Sequence, residues 1–240
     1  MHHRVSRWIS ERNCVLSPVS RTLVLDLDGT IVDSVPDLAA ALNRLMATRG
    51  LAAFTEAETM AMVGDGVARL LERAFAARDR AADAGALADY AADYGAHYAV
   101  ASRLYPGVAE TLAALAADRW RLAVCTNKPE APARALLDAL GIGGRFAAVC
   151  GGDSFPTRKP DPAHLLGTLQ RAGGTPDLAV MAGDHGNDMA AARGAGVPGI
   201  FASWGYGPPA AGAAASAIAR RFTDLPALAS GLLGPCRPTR

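Results

Sequence analysis

Short unbroken apolar runs alternate along this chain with stretches whose apolar residues recur three and four positions apart. Runs at 22–26, 121–125, 146–150, 178–182 and 197–201 lack the alternation of a half-exposed strand. They read as strands buried on both faces. Between them, Val108, Leu112 and Leu115 fall at i, i+4 and i+7. Ala133, Leu136, Leu137 and Leu140 repeat that spacing before Gly141 stops the helix. His164, Leu165 and Leu169 mark a further helix after Pro162. Strands alternating with helices predict an α/β fold: a doubly wound parallel sheet with a Rossmann-like core.

Residues 34–104 break the alternation. Leu38, Leu42, Leu45 and Met46 form one helical stripe, and Val67, Leu70, Leu71 and Ala74 another. A third helix at 86–99 carries Tyr90, Tyr94 and Tyr98 at i, i+4 and i+8, a spacing that packing alone explains. The expected organisation is a core of 22–33 and 105–240, with 34–104 as a helical insert after the first strand. Residues 1–21 hold Arg4, Arg7, Arg12 and Arg21 but no apolar run of signal-peptide length. They read as a disordered extension or an upstream start, with an Arg-rich transit peptide as the alternative.

Composition narrows the class. The chain has 240 residues, 50% hydrophobic, with 24 Lys and Arg against 23 Asp and Glu. Such a balance offers no electrostatic footprint for nucleic acid or an anionic membrane, and the apolar fraction argues against disorder. The Ala-rich stretch at 209–219 is too short and weakly apolar to span a bilayer. Cys14, Cys125, Cys150 and Cys236 form no CxxC pair, which fits a reducing cytoplasm rather than a disulfide scaffold or zinc ribbon. Of the basic residues only Lys128 and Lys159 are lysine, which raises the question of what each does.

Asp26-Leu27-Asp28-Gly29-Thr30 stands at the end of the first apolar run. Ligands of open α/β sheets bind outside the carboxyl ends of the strands. Carboxylates two apart in extended chain point the same way and repel, so a cation is expected between them. The donors are oxygens, which suits Mg²⁺. Gly194, Gly196 and Gly199 also satisfy GxGxxG, but they close a helix and enter a strand, the reverse of a dinucleotide-binding turn.

Four segments in order resemble the motifs of the haloacid dehalogenase superfamily. They are LDLDGTIVDS at 25–34, VCTNKP at 124–129, KPDP at 159–162 and MAGDHGND at 181–188. The helical insert is similar to what this family calls a cap. By the resemblance, Asp26 is the nucleophile that takes the phosphoryl group, and Asp28 is the general acid and then base. Thr126 and the Asn127 N–H would bind phosphate oxygens, with Lys159 as a compact positive charge. Mg²⁺ would be held by Asp26, the Asp28 backbone carbonyl and Asp184, with Asp188 supporting. Lys128 is either structural or functional on this reading. His185 departs from the family's usual small polar residue and reads as a tolerated substitution rather than a contact to the metal site.

The segment 62–75 (MVGDGVARLLERAF) resembles the cap loop and helix of phosphoglycolate phosphatases. The implied reaction is hydrolysis of 2-phosphoglycolate through an aspartyl phosphate. Arg69, Arg73 or the backbone N–H groups near Gly64 and Gly66 are candidates for the substrate carboxylate, although a solvated helix face is the plainer reading of each Arg. The alternatives are another phosphatase of the superfamily, a sugar-phosphate mutase, or, in a different class, a phosphoacceptor signalling domain. A dehalogenase has no need of Asp28. The expected partner is a small phosphorylated metabolite, with no nucleic acid or membrane, and the chain is expected to be a cytoplasmic monomer or homodimer.

Overall fold

Leu23 and Leu25 of β1 (Thr22–Leu25) face one side of a sheet, and Val24 faces the other. Both sides are covered, which is why the strand reads as a continuous apolar run. The computed structural model describes residues 21–234. The expectations for residues 1–20, and for Cys14 and Cys236, lie outside them. Five more strands complete the main sheet: β4 (Arg121–Cys125), β5 (Ala148–Cys150), β6 (Ala179–Gly183), β7 (Gly199–Ala202) and β8 (Ala217–Ala219). Their order is β5-β4-β1-β6-β7-β8, and every pairing is parallel. The doubly wound, Rossmann-like expectation holds.

Helices α5 (Val108–Ala117), α6 (Glu130–Ala139) and α9 (Leu225–Leu233) bury Leu112, Leu115, Leu136, Leu137, Leu225 and Ala229 on the Leu25 side. Helices α7 (Pro162–Ala172) and α8 (Gly186–Gly194) bury Leu165, Leu169, Ala191 and Ala192 on the Val24 side. Asp161 caps α7 by accepting from the Ala163 N–H at 2.9 Å. Gly194 ends α8 and Gly199 opens β7, so the GxGxxG run does close a helix. The Ala-rich stretch forms a 3₁₀ turn over Pro209–Ala214 and then edge strand β8. No helix among the described residues is long and apolar enough to cross a membrane.

The register fixes the site. Leu25 lies opposite Val124 on one side and Ala182 on the other. The next residues along the three strand ends are therefore Asp26, Cys125–Thr126 and Gly183–Asp184. Strand order reverses direction at β1, and the crevice at such a switch point is where open α/β sheets bind ligands.

Between the short strands β2 (Val32–Asp33) and β3 (Arg103–Leu104) lie α1 (Val35–Thr48), α2 (Glu56–Met60), α3 (Val67–Ala76) and α4 (Ala86–His97). Helices α1, α3 and α4 share a separate apolar cluster that includes Leu42, Met46, Leu71, Phe75, Tyr90 and Tyr94. Strands β2 and β3 pair antiparallel, Val32 with Leu104 and Asp33 with Arg103. This short ladder was not apparent from the sequence, because neither pair of residues makes a run. It holds the two chain passages into the helical segment side by side. Buried Asp37 reinforces it by accepting from Ser102 Oγ at 2.7 Å and Ser102 N at 2.8 Å.

Candidate active site

Asp26 sits just past β1, with its N–H bonded to the Ala182 carbonyl at 2.9 Å. Lys159 Nζ lies 2.8 Å from Asp26 Oδ1 and 2.6 Å from Asp188 Oδ1, its side chain 2% exposed. Burial pushes the Asp26 carboxyl up to about 7, against the pull of Lys159, with Asp188 and Asp184 adding to the rise. Burial disfavours the Lys159 charge, but Asp188 and Asp26 outweigh it and hold the ammonium protonated well above the ordinary lysine range.

Lys159 is bracketed through its backbone. Its N–H donates to His164 Nδ1 at 3.2 Å, and its carbonyl accepts from Asn127 Nδ2 at 3.0 Å. His164 Nε2 lies 3.0 Å from the Gly151 carbonyl, so the neutral Nε2–H tautomer satisfies both sides. Burial and nearby Lys159 lower this imidazole to about 4. In the sequence His164 marks only a helix. Its sole signal was its place five residues after Lys159.

Asp184 is fully buried and held by three donors. Thr30 Oγ1 donates to Oδ1 at 2.9 Å, and the N–H groups of Tyr206 and Gly207 reach Oδ2 at 2.7 and 3.3 Å. Gly29 makes room: at φ +86°, a Cβ there would stand 2.3 Å from Asp184 Oδ2. Asp188 uses its second oxygen to accept the His185 N–H at 2.9 Å, which starts α8. His185 is more than the tolerated substitution its sequence position suggests: its ring lies against the acidic cluster, Nδ1 3.1 Å from Asp184 Oδ2. Burial lowers its pKa, but the surrounding carboxylates, Asp184 foremost, outweigh that and push it up to about 9. The ring also reaches Gly64, where a Cβ would stand 2.6 Å from His185 Cδ2.

Donor atoms of Asp26, Asp184, His185 and Asp188 all lie within 4.8 Å of one another. Asp26 Oδ1 is buried, with the Lys159 ammonium at 2.8 Å beside it. Three carboxylates converging this closely fit a hard divalent cation, so the oxygen donors of this set suit Mg²⁺. The Asp28 side chain is outside that cluster. Its carboxylate accepts from Ser34 Oγ at 2.6 Å and from Lys128 Nζ at 3.2 and 3.3 Å.

Thr126 is 2% exposed and lines the cavity, with its Oγ1 3.3 Å from the Lys128 N–H. Asn127 uses its side chain as a strut, donating to the Gly64 and Lys159 carbonyls, both at 3.0 Å. The cavity above these residues measures about 430 Å³. Its walls include Leu38, Val67, Leu70, Tyr90, Tyr94 and Tyr98, so the tyrosine stripe both packs the helices and faces the cavity. Neither Arg69 nor Arg73 lines it. Arg69 pairs with Glu72 at 2.5 Å, and Arg73 with Asp65. Tyr206 was not foreseen either. Its hydroxyl accepts the Ser34 N–H at 2.7 Å and donates to Asp33 at 2.8 Å, bracing the chain just after the acidic motif.

Carboxylates, two buried lysines and a hydroxyl gathered at the carboxyl ends of β1, β4 and β6 belong to a known class. The model of haloacid dehalogenase-like hydrolases matches residues 21–196, and the chain belongs to that family. It is 45% identical over 214 residues to a phosphoglycolate phosphatase of Rhodospirillum rubrum, covering 85% of this chain and 89% of that protein. It is 44% identical over 193 residues to one from Agrobacterium fabrum, covering 79% and 83%. Among solved structures, a predicted phosphoglycolate phosphatase from Haemophilus somnus 129PT superposes with TM-score 0.81 at 32% identity. That match covers 88% of this chain and 98% of the other. Family membership sets aside the phosphoacceptor signalling alternative.

Proposed function

We propose that this phosphatase of phosphate monoesters hydrolyses 2-phosphoglycolate to glycolate and phosphate with Asp26 as nucleophile. The observation that carries the reading is Lys159 Nζ held between Asp26 and Asp188, with Asp26 and Asp28 both lining the cavity. The phosphoglycolate phosphatases at 44–45% identity support the substrate.

Asp26 attacks phosphorus, and the ester P–O bond breaks as the leaving alkoxide takes a proton from Asp28. Asp28, now a carboxylate, then takes a proton from water as the water attacks the aspartyl phosphate, which releases phosphate and restores Asp26. Thr126 Oγ1, the Asn127 N–H and the Lys159 ammonium bind the phosphoryl oxygens. Asp26, the Asp28 carbonyl and Asp184 would hold Mg²⁺, with Asp188 in support; the ion supplies positive charge that offsets anion–anion repulsion. Helices α1–α4 act as a cap over the core of 22–33 and 105–240, and they exclude water from the closed site. We read the enzyme as cytoplasmic and acting on a small metabolite, as a monomer or homodimer.

The test is phosphate release from 2-phosphoglycolate with Mg²⁺ and with excess EDTA. Magnesium-dependent release that Asp26→Asn lacks supports the reading. Release undiminished by EDTA, or retained in Asp26→Asn, contradicts it.

A further inference from the structure

Among the described residues that line the cavity, only Lys128 is basic. Its side chain is 5% exposed, and its ammonium lies 3.2 Å from Asp28 and 4.5 Å from the centre of the Tyr94 ring. A lysine buried under an apolar roof is costly unless its charge has work there. The Asp28 carboxyl, which protonates the leaving group, meets one of the Lys128 donors at 3.2 Å. An ammonium carries three donors, so another is available for an anion. The Tyr94 hydroxyl is buried and has no hydrogen-bond partner, a second polar group on the ring that Lys128 covers.

We propose that Lys128 is the specificity-determining residue that reads the leaving group, by pairing with a carboxylate one carbon away from the ester oxygen. The inference rests on the phosphatase reading above, in which Asp28 serves the ester oxygen. In the phosphate ester of a short 2-hydroxy acid, the ester oxygen and the carboxyl carbon flank a single carbon. When the ester oxygen meets Asp28, the carboxylate falls beside the group that Asp28 already contacts, the Lys128 ammonium. Arg69 and Arg73 are paired elsewhere and outside the cavity, so no other basic side chain in its lining competes for that anion. Esters with a neutral leaving group still fit the apolar walls but leave this contact unmade. The substrate class is therefore the phosphate monoesters of short 2-hydroxy carboxylates.

The experiment crosses the enzyme with the substrate. Wild type and Lys128→Gln are each assayed on 2-phosphoglycolate and on its carboxamide, which removes the charge at similar size. Wild type should prefer the acid by about 10–100-fold in kcat/KM, the worth of a charge-assisted contact, mainly through KM. Lys128→Gln should lose that preference, whatever the drop in its absolute rates. Should the Gln variant not fold, Lys128→Arg keeps the charge and must keep the preference. Equal use of acid and amide by wild type overturns the inference alone. So does a preference that survives in Lys128→Gln, or one lost in a folded Lys128→Arg. No turnover of either compound by an enzyme that still cleaves 4-nitrophenyl phosphate overturns the 2-phosphoglycolate reading, and the inference with it.

Discussion

Replacing Lys159 with Arg keeps the charge and changes its shape. Arginine is the default cation of this chain, so the exchange would be silent at an ordinary surface position. Lys159 is 3% exposed, with its ammonium wedged at 2.8 and 2.6 Å between Asp26 and Asp188. Its backbone is fixed from both sides by His164 and Asn127, so the chain cannot retreat to admit a longer head group. A planar guanidinium spreads the charge over a fork that two nearby carboxylates and a phosphate cannot all meet. Displacing the phosphoryl group by ~1 Å can cost ~10²-fold in rate. Overpacking a filled site costs about 1–3 kcal/mol. For a chain of this size that lowers Tm by roughly 2–4 °C per kcal/mol. Lys159→Met should be worse for stability, about 3–5 kcal/mol, because it leaves buried carboxylates uncompensated. Steady-state phosphate release with Mg²⁺ present measures the first effect, and calorimetry on the metal-free proteins the second. A Lys159→Arg enzyme with wild-type kcat would refute the placement of this ammonium against the phosphoryl group.

Asp26→Asn should fold, lose turnover, and be no less stable than wild type at pH 8 without metal, since it removes a carboxylate that burial has raised to about 7; a large drop in Tm would contradict this. Saturating Mg²⁺ at 100 times its Kd should add about 2.7 kcal/mol of stability, and Asp184→Asn should abolish that shift in a thermal melt. His164 is held neutral, lowered from 6.5 to about 4 by burial. Its contribution is present above pH 6.5 and lost as pH falls through about 4, on the order of 3 kcal/mol. Asp26 works in the opposite sense over an overlapping range, stabilising below pH 4 and losing that as pH rises through about 7. The readout is therefore the difference between wild type and His164→Gln in urea melts from pH 4 to 7. Identical pH slopes would show that His164 is not buried neutral.

Much of the fold was legible because parallel strands covered on both faces leave unbroken apolar runs, as 22–26 and 121–125 do. Edge strand β8 was not, because Ala217–Ala219 is three residues long with Ile218 exposed. Helix α9 was missed too, since its apolar residues follow an Ala- and Gly-rich tail without a clear stripe. The acidic motif could be read because Asp26 and Asp28 are neighbours in sequence. The partners that set their chemistry are far away: Lys128 is 100 residues from Asp28, and Tyr206 is 172 from Ser34. Their convergence follows from sheet register and from the helical roof, which a one-dimensional pattern does not carry. The tyrosine stripe shows the same limit. Its spacing revealed a helix face but not that the packed face also borders a cavity.

The central claim is that Asp26 carries the phosphoryl group during turnover. Rapid acid quenching of the enzyme during hydrolysis of radiolabelled 2-phosphoglycolate, followed by peptide mapping, tests it directly. The account predicts transient label on the peptide containing Asp26, decaying as free phosphate appears, and none in Asp26→Asn. Full turnover with no protein-bound label at any time, or label on a peptide lacking Asp26, would contradict it.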